Sequence, residues 1–124
     1  MANPFLHIEL LTGDVAQAKR FYTNLFDWKL EDLPVADAEP YPLIKPGEGP
    51  NGGIFAMSAG GRPYWLTYIR VDDIKSSVAK ATQLGATIVE DIAEFAEYGW
   101  ASVLADPEGA VFAIWQYREN TAEH

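Results

Sequence analysis

Gly53-Ile54-Phe55-Ala56-Met57 and Ala110-Val111-Phe112-Ala113-Ile114 read as two copies of one strand, each a small residue, a branched residue, Phe-Ala and a long apolar side chain. They lie about 57 residues apart, a period that points to one unit built twice. The flanking segments repeat in the same order. Before the first copy, Phe5 to Leu11 alternates as a strand does, with Leu6, Ile8 and Leu10 on one face and Phe5, His7, Glu9 and Leu11 on the other. Asp14 is placed to N-cap a helix from Val15 to about Asp27, with Val15, Ala18, Tyr22 and Leu25 at helical spacing. Strands follow near Trp28 to Glu31, Tyr41 to Lys45 and Ile54 to Ser58. Prolines 34, 40, 42, 46 and 50 make the middle one short, edge-like or irregular, and Asn51-Gly52-Gly53 reads as a turn.

A break at Gly60-Gly61-Arg62-Pro63 opens the second round. Tyr64 to Val71 is a strand, and Asp72-Asp73 cap a helix over Ile74 to Leu84 whose expected buried stripe is Ile74, Val78, Ala81 and Leu84 and which Gly85 stops. Strands at Ala86 to Glu90, Trp100 to Leu104 and Ala110 to Tyr117 complete it, with Asp106-Pro107-Glu108-Gly109 as the last turn. The expected architecture is a single α+β domain of two tandem βαβββ modules, residues 1–60 and 61–118, followed by a polar tail over 119–124 that carries His124.

Composition narrows the function classes. A net charge of -9 with only nine lysines and arginines argues against nucleic acid and anionic membrane surfaces. The apolar runs are of strand length, and no basic-then-apolar leader opens the sequence, so a cytoplasmic location is expected. The absence of cysteine removes thiolate nucleophiles, disulfides and Cys-based zinc sites. The chain has no Gly-x-Ser-x-Gly elbow, and its Gly47 to Gly53 stretch leads to no Lys-Ser or Lys-Thr.

The motifs Leu6-His7-Ile8, Phe21-Tyr22 with Leu25-Phe26-Asp27-Trp28, Val71-Asp72-Asp73-Ile74, Leu84-Gly85-Ala86 and Asp106-Pro107-Glu108-Gly109 span nearly the whole sequence. In this order they resemble the vicinal oxygen chelate superfamily, which includes glyoxalase I, extradiol dioxygenases and bleomycin-resistance proteins. The Gly109 to Gln116 ending resembles a glyoxalase-like subgroup related to lactoylglutathione lyase. The resemblance implies a curled eight-stranded mixed sheet with cup-like clefts, and a divalent metal held by up to four side chains from the first and last strand of each module. Carried over place by place, it gives His7, then Leu66 or its neighbour, and finally Ala56 and Ala113. Leucine and alanine offer no lone pair, and Glu9 lies roughly 7 Å along the strand from His7. The expectation is therefore no metal cofactor. The alternative is Ni, Mn, Zn or Fe with His7 as the only matched ligand.

The residues expected to carry chemistry are His7 and Glu9, with Tyr68 and Arg70 on the matching face of the second module and Trp100 and Trp115 as aromatic walls for a small organic ligand. Glu9 and Arg70 form a candidate ion pair. Trp28 and Trp65 read as packing residues, the second facing the second helix. Pro40-Tyr41-Pro42, in the long loop, reads as a loop anchor, with closure over one cup as the alternative. The acidic residues Glu90, Asp91, Glu94 and Glu97 read as a solvated loop. Several functional readings stay open: a metal-independent enzyme or small-molecule binder using the cups, a metal-dependent lyase, isomerase or dioxygenase resembling glyoxalase I, an antibiotic-sequestering binder, and a structural dimer or fused-domain relic with no ligand. A homodimer is expected, as is common in the family.

Overall fold

The computed structural model describes residues 3–57 and 61–118. Gly60, at the expected break, and the tail with His124 lie outside the described residues. Eight strands, forming a mixed sheet, and two helices make an α+β fold. The order is β1 (Phe5–Thr12), α1 (Val15–Leu25), β2 (Lys29–Leu33), β3 (Tyr41–Lys45), β4 (Asn51–Ala56), β5 (Tyr64–Arg70), α2 (Ile74–Gln83), β6 (Thr87–Phe95), β7 (Gly99–Ala105) and β8 (Val111–Tyr117). Two compact units emerge, one running His7–Leu66 and the other joining the chain up to Leu6 with that from Thr67 onward.

In the unit His7–Leu66 the strands lie in the order β2-β3-β4-β1, with β1 and β4 parallel. Helix α1 starts where Asp14 accepts from the Gln17 amide at 3.0 Å, one of the orphan donors of a first helical turn. Its inner face buries Ala18 against Leu10, Ile44 and Ile54, with Val15, Tyr22, Trp28 and Leu30 packed around them. Leu25, expected on that face, is exposed. Trp65 packs edge-on against Tyr22 and Trp28, so it serves the first helix rather than the second.

Two expectations about this unit need correction. Strand β3 is not an edge: it pairs with β2 on one side and β4 on the other, and Pro42 sits opposite Asp32. Gly52 and Gly53 are not a turn but the interior of β4. They are glycine because neighbours approach closely: a Cβ on Gly52 would lie 2.6 Å from the Ile8 carbonyl oxygen, and one on Gly53 would overlap the Tyr41 ring. The turn lies upstream, where Gly47 and Gly49 take positive φ.

The second unit repeats the plan as β5-β8-β7-β6, with β5 and β8 parallel. Asp73 caps α2 by accepting from the Ser76 amide at 3.2 Å, and Gly85 ends the helix at φ 103°. Its core is Val71, Ile74, Val78, Leu104 and Ile114. Gln116 of β8 adds a nonlocal cap, its Oε1 accepting from the Ile74 amide at 2.8 Å. Strand β6 runs on to Phe95, so Glu90, Asp91 and Glu94 lie on an exposed, bulged strand and not in a loop.

Candidate functional site

Strand alternation in β1 puts Leu10 under α1 and turns His7 and Glu9 to the opposite face. There Tyr41, the first residue of β3, lies between them. Its phenol donates to Glu9 Oε2 at 2.7 Å, and the same oxygen is 2.8 Å from His7 Nε2. Glu9 and Tyr41 are only 7% and 6% exposed, values that an unpaired carboxylate or phenol would not sustain. Gly53 makes the arrangement possible, since any side chain there would occupy the place of the phenol.

The protonation pattern follows from the donors present. Tyr41 has one proton and gives it to Glu9, so its oxygen can only accept from His7. The imidazole is therefore the Nε2–H tautomer, with Nδ1 as its basic nitrogen. Burial lowers the His7 pKa from 6.5 to about 4, because the imidazolium would lose its hydration. At neutral pH the imidazole is neutral, and the three side chains form a chain from His7 through the Tyr41 phenol to the carboxyl group of Glu9.

Tyr41 is the residue that sequence reading missed. Two consecutive glycines at Gly52-Gly53 were the available signal, because glycine inside a strand marks a close approach as often as a turn.

In the second unit, Tyr68 and Trp115 share a face, as expected, with ring centroids 6.4 Å apart at 72°. Arg70 places its guanidinium carbon 5.4 Å from the centre of the Tyr117 ring. Trp100 does not join them. It is paired with Gln116, whose side chain reaches the start of α2, and it packs beneath that helix with Ile92 and Phe112 around the core. Its exposed side is covered by Arg118, whose guanidinium carbon is 4.6 Å from the ring centre. The strand begins at Gly99, and the period of two then sends Trp100 to the helix side.

The family's metal would need donors that these residues do not supply. Ala113 is fully buried beside Tyr68, Ala56 pairs with Thr12, and Leu66 is 1% exposed, so three of the four ligand places carry aliphatic side chains. At the fourth, His7 Nε2 is engaged by the Tyr41 phenol, which also occupies Glu9 Oε2. Among the described residues no three His, Asp or Glu side chains converge as a metal-ligand group. The donor set does not fit a divalent metal.

Comparison with known proteins places the fold and family. The family model described as "Glyoxalase-like domain" matches residues 7–115. The chain is 31% identical over 127 residues to CFP32 of Mycobacterium tuberculosis, a protein provisionally named a glyoxylase; the match covers 88% of this chain and 44% of that protein. It is 27% identical over 114 residues to the anthracycline biosynthesis protein DnrV of Streptomyces peucetius, covering 90% of this chain and 41% of the relative. The chain thus spans less than half the length of these relatives. The crystal structure of hypothetical protein BH1468 from Bacillus halodurans superposes with a TM-score of 0.70 at 16% identity, covering 98% of this chain and 99% of that one, a likeness of fold alone. Matched over most of its length, the chain belongs to the glyoxalase-like domain family.

Proposed function

We propose that the domain binds a small carbonyl-bearing organic molecule and moves a proton on it through His7, Tyr41 and Glu9, without a metal. The observation that carries this reading is the continuous hydrogen-bonded chain from imidazole to carboxylate. A histidine with a pKa of about 4 is a poor terminal base, since its imidazolium is unstable where it lies. The chain removes that difficulty. As a C–H proton of the substrate passes to Nδ1, the Nε2 proton passes to the Tyr41 oxygen, and the Tyr41 proton passes to Glu9 Oε2. The negative charge that began on Glu9 ends on the substrate as an enolate, and no imidazolium forms. Running backwards, the same chain returns a proton to carbon.

The test is deuterium exchange. A panel of small 2-hydroxy ketones and 2-oxo acids is incubated with the protein in D2O, and loss of the α-proton is followed by NMR. The expected result is catalysed exchange for at least one compound. It falls by about a hundredfold in Tyr41→Phe, which keeps the ring and removes the relay. Exchange at the wild-type rate in Tyr41→Phe, or exchange that appears only on adding Ni, Mn, Zn or Fe, would overturn it.

A sequestering role is the second reading, favoured by the ring cluster around Trp115 and by similarity to an anthracycline biosynthesis protein. We also read the protein as cytoplasmic, supported by the lack of cysteine; among the described residues no helix is long and apolar enough to cross a membrane. The homodimer stays part of this proposal, supported by Phe21 and Leu25, each 57% exposed on the outer face of α1. Analytical ultracentrifugation of the wild type and Leu25→Asp tests it, with a monomeric wild type at micromolar concentration as the contrary result.

A further inference from the structure

The face of β8 opposite α2 has no role in the proton chain, yet it gathers three rings of the second unit around one indole. Tyr68, Phe95 and Tyr117 have centroids 6.4, 6.2 and 5.9 Å from that of Trp115, at 72°, 65° and 78° to its plane. All three rings thus meet the indole edge to face, steeply inclined to its plane.

Two further features show that this placement is built. Gly99 of β7 lies beneath the indole, where a Cβ would come within 2.8 Å of Cζ2 and 3.0 Å of Cε2. The indole Nε1–H is buried with no hydrogen-bond partner, a cost that ordinary packing avoids by turning such a ring toward an acceptor. The ring is therefore held by shape, against glycine on one side and in contact with three inclined aromatic rings. Trp115 itself is only partly buried, which leaves indole surface to be covered.

We infer that Trp115, Tyr68, Phe95 and Tyr117 form a stacking site for a planar aromatic ligand. A flat ring lying over the indole gains offset stacking from it and contact with the inclined rings, whereas a puckered ring of equal apolar area gains only the contact. The inference rests on the reading of this domain as a small-molecule binder and names the class of molecule.

The experiment uses 2-acetylnaphthalene and its saturated counterpart 2-acetyldecalin as probes. Each is titrated into the 15N-labelled protein while the indole N–H signals are followed, the Trp115 signal being assigned by its loss in Trp115→Phe. The expected result is a shift of the Trp115 signal and binding about tenfold tighter for the naphthyl ketone. Trp115→Leu should weaken that binding about tenfold, and Trp115→Phe, which keeps a flat ring, should restore most of it. Equal affinity for the two ketones, or a Trp115 signal indifferent to the naphthyl ketone, would overturn the inference. Because the preference for the planar ketone is read in the wild type, a Trp115→Leu protein that fails to fold leaves the test decisive.

The two proposals fail separately. Tyr41-dependent exchange on a small ketone without naphthyl binding at Trp115 sinks this inference and keeps the proton chain. Binding at Trp115 without catalysed exchange does the reverse.

Discussion

Gly53→Ala should be costly, against the usual preference for alanine over glycine in a strand. Elsewhere the change gains about 0.5–1 kcal/mol from reduced freedom of the unfolded chain. At Gly53 the new methyl group would lie 2.5 Å from Tyr41 Cε2 and would overlap Oη, so the buried phenol must leave its place. That breaks the bond to the Glu9 carboxylate, worth about 1.5–3 kcal/mol, and the bond to His7, worth about 1 kcal/mol. After the entropic gain is set against these, the net loss is about 2–3 kcal/mol, or roughly 10 °C in Tm for a domain of this size. Urea unfolding followed by circular dichroism measures it.

A double-mutant cycle identifies the cause. In a Tyr41→Leu background the phenol is gone, so Gly53→Ala should cost less by about 2 kcal/mol. A neutral or stabilising Gly53→Ala, or the same cost in both backgrounds, would show that the phenol is not lodged where the structure places it.

Other consequences are as direct. Burial lowers the His7 pKa to about 4, so between about pH 6.5 and 4 the unfolded chain takes up a proton that the folded chain refuses. Stability should therefore fall as pH drops through that window, by at most about 3 kcal/mol, and level off below it. Urea titrations at pH 7, 5.5 and 4 should show this slope in the wild type and lose it in His7→Gln. Gln116→Leu removes the acceptor for the Ile74 amide and should cost about 1 kcal/mol, with faster amide exchange confined to the first turn of α2. Arg118 donates to the Ala96 and Glu97 carbonyls and to Glu94 while lying over Trp100. Arg118→Ala should therefore speed hydrogen exchange across residues 95–99. Because Glu94 is largely exposed, the global loss should stay near or below about 1 kcal/mol.

The features that were legible in the sequence are those whose causes are local. Asp14 and Asp73 cap their helices because a short carboxylate can reach an amide three residues on, and Gly85 ends α2 because only glycine takes its φ cheaply. The doubled Phe-Ala strands and the face shared by His7 and Glu9 follow from alternation alone.

What escaped was nonlocal. Gly52 and Gly53 are small because of Ile8 and Tyr41, far away in sequence, so they read as a turn. Tyr41 looked like a loop anchor because nothing nearby reveals that it lies between His7 and Glu9. Trp100 read as a wall of the second cup because the strand's alternation was not anchored at Gly99, where the indole of Trp115 crosses the backbone. Strand β6 was cut short because its exposed acidic residues hide the alternation that marks a strand.

The central claim is that His7 is a neutral imidazole held by Tyr41 within a chain that ends on Glu9. The chain has only two histidines, so long-range 1H–15N correlation on 15N-histidine-labelled protein resolves His7 directly once His7→Gln has assigned it. Followed from pH 7.5 to 3.5, the account predicts a protonated Nε2 throughout, an Nδ1 that is unprotonated at neutral pH and gains its proton with a midpoint near 4, all unchanged by stoichiometric zinc. An Nδ1–H tautomer, a midpoint at or above 6.5, or a zinc-induced shift at Nε2 would contradict it.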